Sequence, residues 1–274
     1  MWNKLKAPQK YFEHTPFMEI IVISIVAFLV AILTFFSGFG LGTILTPVFM
    51  FFFPVELSIA LTGVVHFFNN IFKIILVGRQ ANREALLKFG LPAVIAALVG
   101  SIILINIADA PALFTYSLGE SLIEVSTVKF IISILLIIFA SMDLIPFFRD
   151  LTFDKNKLPI GGVLSGFFGG LSGNQGALRS AFLIKSGLSK EAFIGTAVVV
   201  STFVDFTRLS IYATRFSQAG LIDNLNLVIC ATLAGITGSF FGNRLLKKVT
   251  LKRLQTIVAI MLILVALGFG SGLI

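Results

Sequence analysis

GGLSGNQGALRSA, residues 169–181, breaks an apolar stretch with four glycines and, among its polar side chains, Asn174, Gln175 and Arg179. A second break, SGFGLGTILTP, runs from Ser37 to Pro47. Apolar sequence on both sides of each break has the character of membrane-embedded chain. Inside a bilayer no water satisfies an unwound backbone, so such a break survives only where it lines a cavity or is buried in protein. Discontinuous helices at membrane depth are a common way to build a transporter's substrate site.

The rest of the chain agrees with that reading. Its 274 residues are 57% hydrophobic and 12% charged, with mean hydropathy +1.01, far more apolar than a soluble domain. Stretches long enough to cross a hydrocarbon core, roughly 20 residues, run over 18–36, 57–77, 89–108, 127–147, 192–212, 221–243 and 254–272. Three shorter ones, 40–53, 159–172 and 175–186, are too short to span alone at about 1.5 Å per residue, and read as half-helices meeting at the breaks. The first long apolar stretch exceeds a signal-peptide core and is followed by more membrane sequence, so no cleavable signal is expected. The net charge of +8 comes from Lys and Arg in short loops, the pattern of the positive-inside rule rather than of a nucleic-acid surface. Cys230, the single cysteine, excludes an internal disulfide and a thiolate metal cluster.

A shift of 134 residues lays Gly42 on Gly176 and Thr62 on Thr196, and the order of breaks and spans recurs. The expected organisation is an interfacial tail (1–17), a first membrane repeat (18–147), a connecting loop (148–158) and a second repeat (159–274). Equivalent loops carry opposite charge bias. Arg79, Arg83 and Lys88 follow the third apolar stretch against Arg215 alone in the second half, whereas residues 109–126 carry no Lys or Arg against Arg244, Lys247, Lys248, Lys252 and Arg253. Inverted repeats place 13 loop and tail cations inside and 4 outside. The fold class expected is therefore an all-α polytopic membrane protein of two inverted repeats, each a glycine-broken hairpin plus about three transmembrane helices. Loops at Arg83, Asn156 and Lys248 should face the cytoplasm, and those at Tyr116 and Ser217 the outside.

Polar side chains fall on faces. Thr62, His66, Asn69, Asn70 and Lys73 make one stripe three turns long at helical period. Ser201, Asp205, Arg208 and Tyr212 make another, with Asp205 and Arg208 spaced for an ion pair. Ionisable groups inside a membrane are costly and mark function, although interhelical hydrogen bonding and a snorkelling Lys73 are the plainer alternatives. Lys73, Arg179 and Arg208 outnumber Asp205, so the interior suits an anion. Half-helices starting near Thr43 and Ala177 would add N-terminal amides. The expected substrate-binding set is Gly40, Gly42, Thr43, Asn69, Asn70, Lys73, Asn174, Gln175, Gly176, Arg179 and Arg208. His66 and Asp205 are the candidates for proton coupling, since histidine titrates near neutral pH.

With Gly38-Phe39-Gly40-Leu41-Gly42 followed by Pro47, and a glycine-rich motif over Gly166–Gly176 opening the second half, the chain resembles the TauE/SafE family of sulfite exporters and anion permeases. The resemblance covers nearly the whole chain. Leu41 interrupts the family's usual denser glycine run, and Ala181 stands where many members have proline. What the resemblance implies is outward secondary transport of small sulfur-containing anions such as sulfite or organosulfonates, across the plasma or inner membrane, without nucleotide hydrolysis.

A passive anion channel and an intramembrane enzyme are the competing functions. Against the enzyme, the chain has two histidines, His14 and His66, and neither a metalloprotease motif nor a paired-carboxylate motif. No catalytic residue, metal or cofactor is expected, and no nucleic acid. The partners expected are the anion and membrane lipids, with assembly of identical copies left open.

Overall fold

The structure, a computed structural model, describes residues 16–35, 41–119, 121–145, 147, 153–183, 186–216, 223–245 and 251–273. The N-terminal tail before residue 16, Gly38 and Gly40 of the first break, and the loop positions Ser217 and Lys248 lie outside the described residues.

Ten helices follow one another among the described residues. In the first half they are α1 (Pro16–Thr34), α2 (Leu41–Met50), α3 (Val55–Val77), α4 (Arg83–Ile107, with a π turn at Leu86–Gly90) and α5 (Thr127–Leu144). In the second they are α6 (Leu158–Ser172), α7 (Gly176–Leu183), α8 (Lys190–Phe216), α9 (Leu225–Leu245) and α10 (Leu251–Ser271). Five helices, α1, α3, α4, α8 and α9, are long and apolar enough to cross a membrane. The short apolar stretches became α2, α6 and α7, as their lengths required.

One element was not anticipated. Residues 109–126, expected as a loop, contain an antiparallel hairpin of β1 (Ala112–Leu118) and β2 (Ser121–Ser126). Gly119 turns it with φ of 63°, a left-handed conformation open to glycine. The Tyr116 hydroxyl ties the hairpin to the end of α10 by donating to the Ser271 carbonyl at 2.7 Å.

Helix pairing repeats between the halves. α1 packs along α9 as α6 packs along α4, α3 meets α9 as α8 meets α4, and α3 pairs with α8 and α5 with α10. Repeat-equivalent α3 and α8 run antiparallel: a Cβ on Gly195, near the start of α8, would stand 2.6 Å from the Val77 carbonyl oxygen at the end of α3, and one on Gly63 would stand 3.1 Å from Leu209. α5 and α10 are likewise antiparallel, with Gly270 against Ser133 and Lys129 over the Phe269 ring.

Glycine makes the closest seams possible. Gly162, Gly166 and Gly170 form a ladder on α6 against the carbonyls of Phe89, Ala93 and Ala97, where a Cβ would stand 2.2, 1.9 and 2.2 Å away. Gly238 and Gly242 do the same for α9 on Phe28 and Ile32 of α1. Small residues that let backbones touch are how helices pack where lipid removes the hydrophobic drive. The polarity is that of a membrane protein: Ile75 is 75% exposed, while Asn69, Asp205 and Arg208 of the paired helices are fully buried.

Candidate functional site

Each break ends one helix and opens another. α6 stops at Gly173, whose φ of 77° puts it in the left-handed conformation while its amide donates to Gly169 O at 3.0 Å, the usual glycine C-cap. Asn174 and Gln175 then bridge to α7. The Ser172 hydroxyl accepts from the Asn174 amide at 3.3 Å, and Gln175 O accepts both from the Ser165 hydroxyl at 3.0 Å and from the Arg179 amide at 3.0 Å. In α2, Pro47 has no N–H to offer the Thr43 carbonyl, while the Thr46 hydroxyl donates to Gly42 O at 2.8 Å. The two breaks meet: a Cβ on Gly42 would lie 3.5 Å from Gly173 O and 3.8 Å from the His66 ring.

Beside this junction lies a small, partly open cavity. His66, Asn70 and Lys73 of α3, Arg179 of α7 and Ser201 of α8 supply its polar lining, with Thr34 and Phe35 at the end of α1 and Leu41 opening α2. Lys73 is buried with its ammonium 5.4 Å from the centroid of the Phe35 ring. No carboxylate lies within ion-pairing distance of it among the described residues, and it lines the cavity wall. Arg179 donates through Nη1 to the Ser201 hydroxyl in a short hydrogen bond. Two cations and several hydrogen-bond donors thus face one space.

Behind the cavity wall stands a closed network centred on Asp205. Its Oδ2 is 2.6 Å from His66 Nδ1 and accepts from Asn70 Nδ2 at 3.2 Å. Its Oδ1 accepts from Arg208 Nε at 3.0 Å and from Gln175 Nε2 at 3.4 Å, with Arg208 Nη2 at 2.9 Å. One carboxylate therefore ties together α3, α8 and the bridge between α6 and α7. Tyr212, a turn beyond Arg208, reaches the Gly170 carbonyl with a short hydrogen bond.

Of the residues singled out in the sequence, the structure brings His66, Asn70, Lys73 and Arg179 to the cavity, and Gln175, Asp205 and Arg208 to the network behind it. Gly42, Gly176 and Asn174 belong to the junction, and Thr43 is buried on α2. Asn69 turns the other way, accepting from the Ser239 hydroxyl of α9 at 2.7 Å, the interhelical hydrogen bond of the plainer reading. Thr196, equivalent to Thr62, accepts from the Asn82 amide at 2.9 Å and faces away from Asp205, as its helical offset required. Sequence reasoning did not find Thr34, Phe35 or Ser165. They carry no signal except nearness to a break, and the pairing of His66 with Asp205 across 139 positions leaves no local trace.

The model of the family described as Sulfite exporter TauE/SafE matches residues 23–269. The chain belongs to the TauE/SafE family. The match spans both breaks, both polar stripes and the helices from within α1 to within α10, so this TauE/SafE protein is a multi-pass membrane protein with membrane transport as its activity. No curated protein and no solved structure matches the chain.

Proposed function

We propose that this TauE/SafE protein is a secondary transporter that carries small sulfur-containing anions such as sulfite or organosulfonates outward across the cell membrane. The observation that carries this reading is the cavity wall in which Lys73 and Arg179 face one space with Ser201 and Asn70, while the carboxylate of Asp205 stays behind it, engaged with Arg208 and His66. A planar guanidinium and several neutral donors suit a compact oxyanion with more than one acceptor oxygen. Substrate would contact Arg179 first, with Lys73 supplying charge.

The antiparallel run of α3 and α8 supports inverted repeats, since an axis in the membrane plane reverses equivalent helices. In that frame the cavity lies toward the end of the fold that holds Arg83 and Asn156, the cytoplasmic end by loop charge, which suits loading for export. A proton provides the coupling: His66 faces the cavity while bonded to Asp205, so an arriving anion and a proton on the imidazole favour each other. Proteoliposomes test both points. Sulfite counterflow, absent in a passive channel, is expected in wild type, and an imposed pH gradient should stimulate net flux in wild type and leave His66→Gln unstimulated at equal folded amounts. Equal stimulation in both would remove His66 from coupling, and flux without counterflow would make the protein a channel.

A further inference from the structure

Past the Asp205 network, deeper than the cavity, several polar groups converge on the junction of the two breaks. Arg208 is fully buried, and its Nη1 lies 2.8 Å from where a Cβ on Gly173 would stand, with no hydrogen-bond partner among the described residues. Thr46 Oγ1 stands 3.8 Å from the same point. Both side-chain polar atoms of Asn174, 4% exposed, and Oε1 of Gln175 are also without partners. The opening turn of α7 begins directly after these residues. Buried polar groups in folded proteins are nearly always paired, and the unpaired donors among these, Arg208 Nη1 and Asn174 Nδ2, are costly within a membrane unless they receive something.

We propose that this junction is a second anion subsite, formed by Arg208 and Asn174, and that Asp205 is a built-in carboxylate that occupies Arg208 until the transported anion takes its place. This rests on the transporter reading and adds a second station to the path. The division of labour on Asp205 favours exchange: Oδ1 serves Arg208 and Gln175, whereas Oδ2 serves His66 and Asn70. An oxyanion arriving at Arg208 needs to displace only the Oδ1 side, and Asp205 keeps its partners on α3. Ser201 at the cavity and Arg208 at the junction are seven residues apart on one helix, a rise of about 10 Å, so the anion passes from Arg179 to Arg208 in one short step. Gly173 lets the Arg208 guanidinium come close to the backbone of the junction, since a Cβ there would stand 2.8 Å from Nη1.

The ligand class is an oxyanion with at least two acceptor oxygens, as a guanidinium fork requires. The test uses purified full-length protein, equilibrium binding of sulfite, and sulfite flux in proteoliposomes. Asp205→Asn removes the competing charge with little change of shape and should bind sulfite about tenfold more tightly than wild type, a gain that Arg208→Gln in the same background abolishes. Unchanged or weaker binding by folded Asp205→Asn would overturn the subsite. Should Asp205→Asn fail to fold, Asn174→Asp places a negative charge at the junction away from the ion pair. It should cut flux at least tenfold while binding at the cavity stays within threefold, and wild-type flux in that variant would equally overturn the proposal. If wild type binds no sulfite, sulfonate or other small oxyanion, the transporter reading itself falls. If it binds and the variants behave like wild type, only the second subsite falls.

Discussion

Gly166→Ala is the most demanding test of how this fold is held together. A Cβ at Gly166 would stand 1.9 Å from the Ala93 carbonyl oxygen and 2.5 Å from its carbon and Cα. Carbon and oxygen meet comfortably at about 3.3 Å, so α6 and α4 must part by roughly 1.4 Å at that rung. The neighbouring rungs at Gly162 and Gly170 sit on the same carbonyl row and would be opened with it, and a gap of 0.5–1 Å already forfeits about a quarter to a half of each contact's dispersion energy. Over-packing a tight seam costs about 1–3 kcal/mol, and here no hydrophobic drive between helices offsets it. A loss near 3 kcal/mol corresponds to an apparent Tm about 6–12 °C lower. Gly42→Ala is the matched control: its Cβ finds 3.5 Å of room and gains helix propensity of up to about 1 kcal/mol, so its Tm should equal or exceed that of wild type. Scanning fluorimetry of both variants in one detergent reads the difference. A Gly166→Ala protein melting within about 1 °C of wild type would refute the seam as a close-packed contact.

Arg179→Lys should weaken sulfite binding about tenfold and Arg179→Ala about a hundredfold, from the roughly 1.5–3 kcal/mol carried by charge-assisted hydrogen bonds; unchanged affinity in folded Arg179→Ala would take it out of the site. Asn69→Ala should lower the apparent Tm through loss of its bond to Ser239 yet bind sulfite within twofold of wild type, and a larger loss of binding would place Asn69 on the anion's path. Single cysteines at Arg83, Asn156 and Tyr116, in a background without Cys230, should react with an impermeant reagent from outside at Tyr116 alone. Labelling of Asn156 from outside would invert the orientation. Gly42→Leu and Gly176→Leu should insert normally and transport poorly, and normal transport by both would reduce the breaks to packing contacts.

Composition and period by themselves determined that this chain lives in a membrane, where its long helices run, and that α2, α6 and α7 are half-helices. They also placed the ion pair of Asp205 with Arg208, three residues apart on one helix, and the cavity-facing side of α3. These are properties of length, hydropathy and helical geometry, which act within a few turns of chain. Tertiary structure alone decided that Asn69 leaves the stripe for Ser239 on α9, that Phe35 lies under Lys73, and that residues 112–126 form a hairpin anchored to α10. It alone separated the cations into two groups, Lys73 and Arg179 at the cavity and Arg208 behind Asp205. The reason is physical. Which face of a helix meets water, lipid or another helix depends on partners more than a hundred residues away, and the bond between His66 and Asp205 exists only because α3 and α8 cross antiparallel at a depth that the glycine seams set.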